Sequence, residues 1–216
     1  MAAALVGMQL QRRWQGEWLL AAVVETEAYY RRERGSHASL GRTPSREALW
    51  APAGTLYLYY SRGKDSLNIS CRGGGNAVLV KAAVATCGGR ASEVMHALNP
   101  APQGGRRPLS RLCAGQTLAA RALAIRVADW NGRRQAPREL VFADTGYRPQ
   151  QLVQTTRLGI AAERDAHLPY RFIDAGRLRS CTQDPTRRRG WREGREYRLV
   201  APPQQPGRRT AHGAPG

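Results

Sequence analysis

Lysine is almost missing from this chain: Lys64 and Lys81 are the only two, and every other basic residue among the 34 is arginine. Such a skew accompanies GC-rich coding, so arginine richness does not by itself identify a partner. The balance of charge still asks for one. Against 16 acidic residues the formal net charge is +18, and that excess suits a polyanion, because arginine and lysine gain affinity by displacing counterions from phosphates. Paired cysteines are lacking as well. Cys71, Cys87, Cys113 and Cys181 are widely separated with no C-x-x-C element, which argues against a zinc knuckle or redox centre and for reduced, structural thiols. No run could span a bilayer, and the apolar start Met1 to Met8 is short and lacks a leading positive region, so neither a membrane partner nor a signal peptide is expected. A cytoplasmic protein follows as the expectation, nucleoid-associated in a bacterium. H-E-x-x-H, Walker-type, G-x-S-x-G and dinucleotide motifs are all absent, so metal hydrolysis, nucleotide binding and esterase chemistry lose their usual marks. No metal and no cofactor are expected.

What is present organises into one catalytic domain, expected over 1–180, followed by a basic Pro/Gly-rich tail over 181–216 that reads as largely disordered. Ala4 to about Cys71 is β-rich, broken by the polar segment Arg31 to Arg42. Thr43-Pro44 reads as an N-cap with proline at the first helical position, opening a short helix through Trp50. Ser66 to Cys71 and Ala77 to Val84 flank a glycine-rich connection and predict a hairpin. Helical spacing marks Arg90 to Leu98 and Gln116 to Arg126, and Glu139 to Ala143 and Tyr170 to Asp174 are strand candidates. Leu152 to Ile160 is ambiguous, and Glu196 to Val200 is a candidate final strand within the tail.

Chemistry concentrates near the N-terminus. The apolar run Leu19 to Val24 flows into Glu25-Thr26-Glu27-Ala28-Tyr29, where period-2 alternation puts Glu25, Glu27 and Tyr29 on one strand face. An enclosed carboxylate beside aromatic rings can be tuned as a general base, although alternation alone does not choose between the two glutamates. Tyr57 and Tyr59 share a face of the next strand, and Tyr59 with Tyr29 could sandwich a planar cationic ring. Lys81 interrupts an apolar strand, so it must pair with Glu27 or Glu25, or else mark an exposed edge. His37, in the intervening loop, reads as hydrogen-bonded.

At these residues the chain resembles the alkyladenine, or methylpurine, DNA glycosylases. The matching blocks are Val24 to Tyr29, His37, Gly41-Arg42-Thr43-Pro44-Ser45-Arg46, Gly54 to Tyr59, Asn68-Ile69-Ser70 and Val78 to Ala82, with weaker support from Leu112 to Ile125 and Arg157 to Ile160. Together they run in consistent order from about Ala4 to Asp174. The resemblance implies a single-domain mixed α/β (α+β) fold, with a curved, largely antiparallel β-sheet flanked by helices. It implies a monomer acting on damaged double-stranded DNA, flipping alkylated or deaminated purines and hydrolysing their N-glycosidic bond without lyase activity. Glu27 corresponds to the family's general base, and Lys81 stands where an arginine commonly helps hold the water. Tyr29, His37, Tyr59, Asn68, Ile160 and Ala161 correspond to the pocket for the flipped base. Arg42, Thr43 and Arg46 fall in a block expected to meet the DNA backbone.

Three positions depart from the family pattern. Arg62 occupies the place of the tyrosine that wedges into the emptied stack, leaving Tyr60 as an alternative wedge; arginine stacks but is more strongly hydrated. Lys81 keeps the charge of the family's arginine but loses its planar fork of donors. Gly115-Gln116-Thr117 replaces a Gly-Pro-x-Lys element and removes a basic residue from an expected backbone contact. These departures leave open a catalytically impaired nucleic-acid-binding relative.

Overall fold

The apolar approach and the acidic segment form a single strand of 13 residues, and the remaining elements are arranged around it. The computed structural model describes residues 1–203. In chain order its strands are β1 (Gln9–Trp14), β2 (Glu17–Tyr29), β3 (Leu56–Ser61), β4 (Lys64–Ser70), β5 (Ala77–Ala85), β6 (Leu140–Ala143), β7 (Leu152–Thr155), β8 (Arg171–Asp174) and β9 (Tyr197–Val200). Its α-helices are α1 (Ala2–Leu5), α2 (Gly89–Leu98), α3 (Leu109–Leu112), α4 (Gln116–Ala122) and α5 (Val127–Trp130). The strands make one antiparallel sheet in the order β3-β4-β5-β2-β8-β7-β9, with β1 beside that path, paired to β2 and β6. This is the mixed α/β domain with flanking helices that the sequence predicts.

One irregularity decides what faces the site. Leu19, Ala21 and Val23 of β2 lie in the main core with Met95, Leu112, Leu123 and Ile125. Simple alternation would carry Glu25 and Glu27 into that same core. The register shifts instead: Val23 pairs with Ala83, Glu25 with Ala82 and Thr26 with Val80, so Val24 and Lys81 are left without partners. After the shift Ala28 faces the core and the carboxylates face away from it. A bulge changes the parity of a strand, and with it the environment of every later side chain. Here the ladder is also broken at Ala83, whose N–H donates to Cys113 O at 3.0 Å.

Most local expectations are met. β4 and β5 are adjacent antiparallel strands around the glycine-rich turn, and Thr43 precedes Pro44 at the start of a 3-10 helix, Pro44–Leu49. The ambiguous stretch resolves into β7 followed by a turn. The boundary expected at residue 180 needs correction. Cys181 is buried, Thr182 N donates to Glu25 Oε2 at 2.6 Å, and β9 pairs along β7, so 181–200 packs as part of the domain. The compositional shift there reflects exposed arginines on an ordered segment; the expected disorder of 204–216 lies outside the described residues. No helix among the described residues is long and apolar enough to cross a membrane.

Glu25 is held in this frame by a buried ion pair, with Arg171 Nε 2.6 Å from Oε1 and neither side chain more than 1% exposed. Removing one partner strands the other charge in a low-dielectric interior, so Arg171→Met is expected to lower the unfolding free energy by about 3–5 kcal/mol in chemical denaturation. A loss below about 1 kcal/mol, the range of surface pairs, would contradict this account.

Candidate active site

A cavity of about 640 Å³ opens on the face of the sheet opposite the main core, a size in the range of sites for small organic ligands. Tyr29, Tyr57, Tyr59 and Asn68 line it from the sheet, His37 from the loop before β3, and Leu158 and Ile160 from the turn after β7. Gly35, also on the wall, has no room for a side chain, since a Cβ would sit 2.9 Å from both Arg157 Nη2 and Arg164 O. The close approach of these two loops therefore requires glycine.

Glu27 lies one layer behind this wall and is fully buried. Its Oε2 accepts from Tyr29 OH at 2.7 Å, and its Oε1 from Leu158 N at 2.9 Å. Lys81 Nζ sits 3.4 Å from Oε1 and 3.5 Å from Oε2. Of the two pairings open to Lys81, the structure makes the one with Glu27. Three donors from β2, β5 and the turn after β7 hold one carboxylate, which is how a buried charge becomes tolerable. Burial, then the adjacent Glu27 charge, raises the Tyr29 pKa well above its ordinary value, so its hydroxyl remains a donor. Behind Tyr29, the Arg157 guanidinium carbon lies 4.6 Å from the ring centroid, tied to Glu33 at 2.8 Å and to Ala28 O at 3.0 Å.

The aromatic wall is a stacked array. Tyr57 and Tyr59 are 5.8 Å apart at 27°, and the His37 ring meets Tyr59 edge-on at 4.5 Å. Nδ1 of His37 is 2.9 Å from Tyr57 OH. Burial pushes the Tyr57 hydroxyl up to about 12 and lowers His37, which the Arg46 and Arg164 charges lower further. Asn68 is fixed by its Nδ2 donating to Tyr57 O at 3.1 Å.

Other expected residues are placed differently. Ala161 is exposed and does not line the cavity, whereas its neighbour Ile160 does. Tyr60 is 61% exposed on the strand face opposite Tyr59. Arg62 does reach the rim, at the tip of the β3–β4 hairpin. Its φ of 50°, followed by 74° at Gly63, is the type I′ turn geometry. Arg42 bonds to Glu47, Thr43 Oγ1 to Ser45 Oγ, and Arg46 to the carbonyls of Leu40 and Gly41, all on the loop that carries His37.

Some contributors were hidden from sequence reasoning. Leu158 acts through its backbone, and Arg157 reaches Glu33 across 124 residues, so neither has a local signature. Gln116, which the sequence marks only as a lost basic contact, lies inside the site, its Oε1 3.0 Å from Lys81 Nζ.

Comparison with known proteins decides the family: the model for methylpurine-DNA glycosylase matches residues 1–178. The chain belongs to the methylpurine-DNA glycosylase family. It is 50% identical over 201 residues to a Pseudomonas savastanoi pv. phaseolicola protein whose name assigns it provisionally to the 3-methyladenine DNA glycosylases, covering 91% of this chain and 90% of that one. Similarly named relatives occur in Pseudomonas aeruginosa, 47% identical over 92% of this chain and 84% of the relative, and in Lactiplantibacillus plantarum, 33% identical over 81% and 82%. As a member of this DNA glycosylase family the chain has a repair function in DNA.

The lowered pKa of His37 has a consequence in solution. The unfolded chain takes up the proton first, so the stability that neutral His37 contributes is whole above pH 6.5, its unperturbed value, and declines as the pH falls through and below it. Thermal melts of wild type and His37→Asn are expected to converge between pH 7 and pH 5, on the order of the ordinary histidine range. Parallel curves would assign the acid sensitivity elsewhere.

Proposed function

We propose that this glycosylase flips alkylated or deaminated purines out of duplex DNA and hydrolyses their N-glycosidic bond with a water activated by Glu27. The observation that carries the reading is a fully buried carboxylate held one hydroxyl behind an aromatic cavity large enough to admit a purine. At that depth a proton reaches Glu27 through a single bridging hydroxyl or water. The water oxygen bonds to the sugar C1′, the C1′–N bond breaks with its electron pair passing to the purine, and the water's proton goes to the carboxylate. A cationic alkylated base leaves neutral and needs no added proton, whereas a neutral deaminated base leaves as an anion and takes its proton from solvent water. As positive charge develops on the sugar, the fixed negative charge of Glu27 stabilises it.

Recognition follows from the wall. Tyr29, His37 and Tyr59 offer ring faces and edges to a planar base, and a neutral His37 does not repel a cationic one. Extrusion costs a few kcal/mol, least for a damaged or mispaired base, which adds selectivity before chemistry. Asn68, anchored on Tyr57 O, is proposed to disfavour the exocyclic amine of guanine. Lys81 engages Glu27 and Gln116 as a hydrogen-bond donor, which favours water over the lysine amine as nucleophile and hence a monofunctional enzyme.

Of the two wedge residues, Arg62 is favoured. An arginine at positive φ costs roughly 1–2 kcal/mol relative to glycine, and such strain gathers at functional positions. Tyr60 points away from the cavity face.

Two measurements test this reading. Duplex oligonucleotides carrying hypoxanthine, ethenoadenine or 3-methyladenine are expected to yield strand breaks after alkali and none before it. Glu27→Gln lowers the single-turnover rate by about 100- to 10,000-fold. No alkali-dependent breakage of any substrate, at high enzyme and low salt, would sink the proposal. Arg62→Ala is expected to weaken binding to an abasic-site duplex about tenfold, as loss of one stacking contact does. A larger effect from Tyr60→Ala would transfer the wedge role to that residue.

A further inference from the structure

The ammonium of Lys81 is held more closely by an amide than by the carboxylate it neutralises: 3.0 Å to Gln116 Oε1 against 3.4 and 3.5 Å to Glu27. An ammonium has three donors and no acceptor, so the amide must turn its oxygen to Lys81. Its Nε2 is then committed to the other side, where Ser66 Oγ lies at 3.0 Å and Tyr59 OH at 3.4 Å. The orientation of the amide is thereby fixed by its partners, and each end touches a different part of the site. Gln116 is the first residue of α4, whose Ala119, Ala120 and Ala122 are buried, so the amide is carried by a packed element.

Lys81 needs such support. It lies at the register shift in β5, where its own backbone has no strand partner on β2, and its side chain is 9% exposed at the cavity wall. A long flexible chain at a bulge has several rotamers, and the two long contacts to Glu27 select among them weakly.

We propose that Gln116 is a positioning residue, holding Lys81 over both oxygens of Glu27 and coupling that pair through Tyr59 and Ser66 to the wall on which the base stacks. The proposal deepens the glycosylase reading and rests on it.

The chain's two lysines make the test direct, because isotope-labelled lysine gives one side-chain resonance for exposed Lys64 and one for buried Lys81. Gln116→Met, nearly equal in volume, is expected to move the Lys81 resonance and leave that of Lys64 in place, without DNA. In single-turnover release of ethenoadenine it slows the chemical step about 10- to 100-fold, the size of a hydrogen bond to a charged group, while the affinity for an undamaged duplex reports folding. Added to Lys81→Met, Gln116→Met should cost nothing further. Ser66→Ala, which frees the amide to turn, supplies a second variant with a smaller change of the same kind. If wild type releases base but Gln116→Met and Ser66→Ala neither slow release nor move the resonance, or if the two losses simply add, the positioning role is overturned. If the resonance moves while wild type releases no base, the glycosylase reading falls and the hold on Lys81 stands.

Discussion

A carboxylate with no exposed surface is tenable only where donors surround it, and much of this structure is the arrangement that surrounds Glu27. Its donors come from its own strand at Tyr29, from β5 at Lys81 and from the backbone at Leu158. Only Tyr29 is a neighbour along the chain, two residues on; Lys81 and Leu158 are brought in from 54 and 131 residues away. Burial of one charge thus ties together the central strand, β5 and a loop more than a hundred residues away, and each of the three contributes residues to the cavity wall.

The same strand carries a second buried carboxylate for a different purpose. Glu25 is paired with Arg171 and capped by the backbone N–H of Thr182; it does not itself line the cavity, although Thr182 does. Two glutamates, two residues apart, are thereby separated into one group that anchors the sheet and one beside which chemistry can occur. The register shift at Val24 and Lys81 makes the separation feasible, since without it both would point into the apolar core. A deformation at a site is here also the device that lets an apolar strand end in acidic residues.

The sequence is most legible where the signal is local. Alternation reveals β2, the glycine-rich turn reveals the β4–β5 hairpin, and the spacing of apolar residues reveals α2. Tyr57 and Tyr59 on one face follow from the same period. Contacts set by tertiary geometry are not legible in this way. The bulge has no composition signature, Leu158 contributes a backbone N–H that any residue except proline would supply, and Gln116 acts only because α4 begins over Lys81. The C-terminal segment misleads for the opposite reason. Its arginines and glycines resemble a solvated tail, yet Cys181, Pro185 and β9 pack on the domain, and pairing with β7 draws on backbone groups that composition does not reveal.

The anchoring of Glu25 also bears on how the protein is made. Its partners Arg171 and Thr182 follow it by 146 and 157 residues, so during synthesis the central strand waits with an unpaired carboxylate and an open edge until most of the chain has emerged. Contacts of such long range are slow to form, and strands exposed meanwhile invite aggregation. Emergence of the segment that carries Arg171 and Thr182, rather than of the first two-thirds of the residues described, is then the event that pairs Glu25.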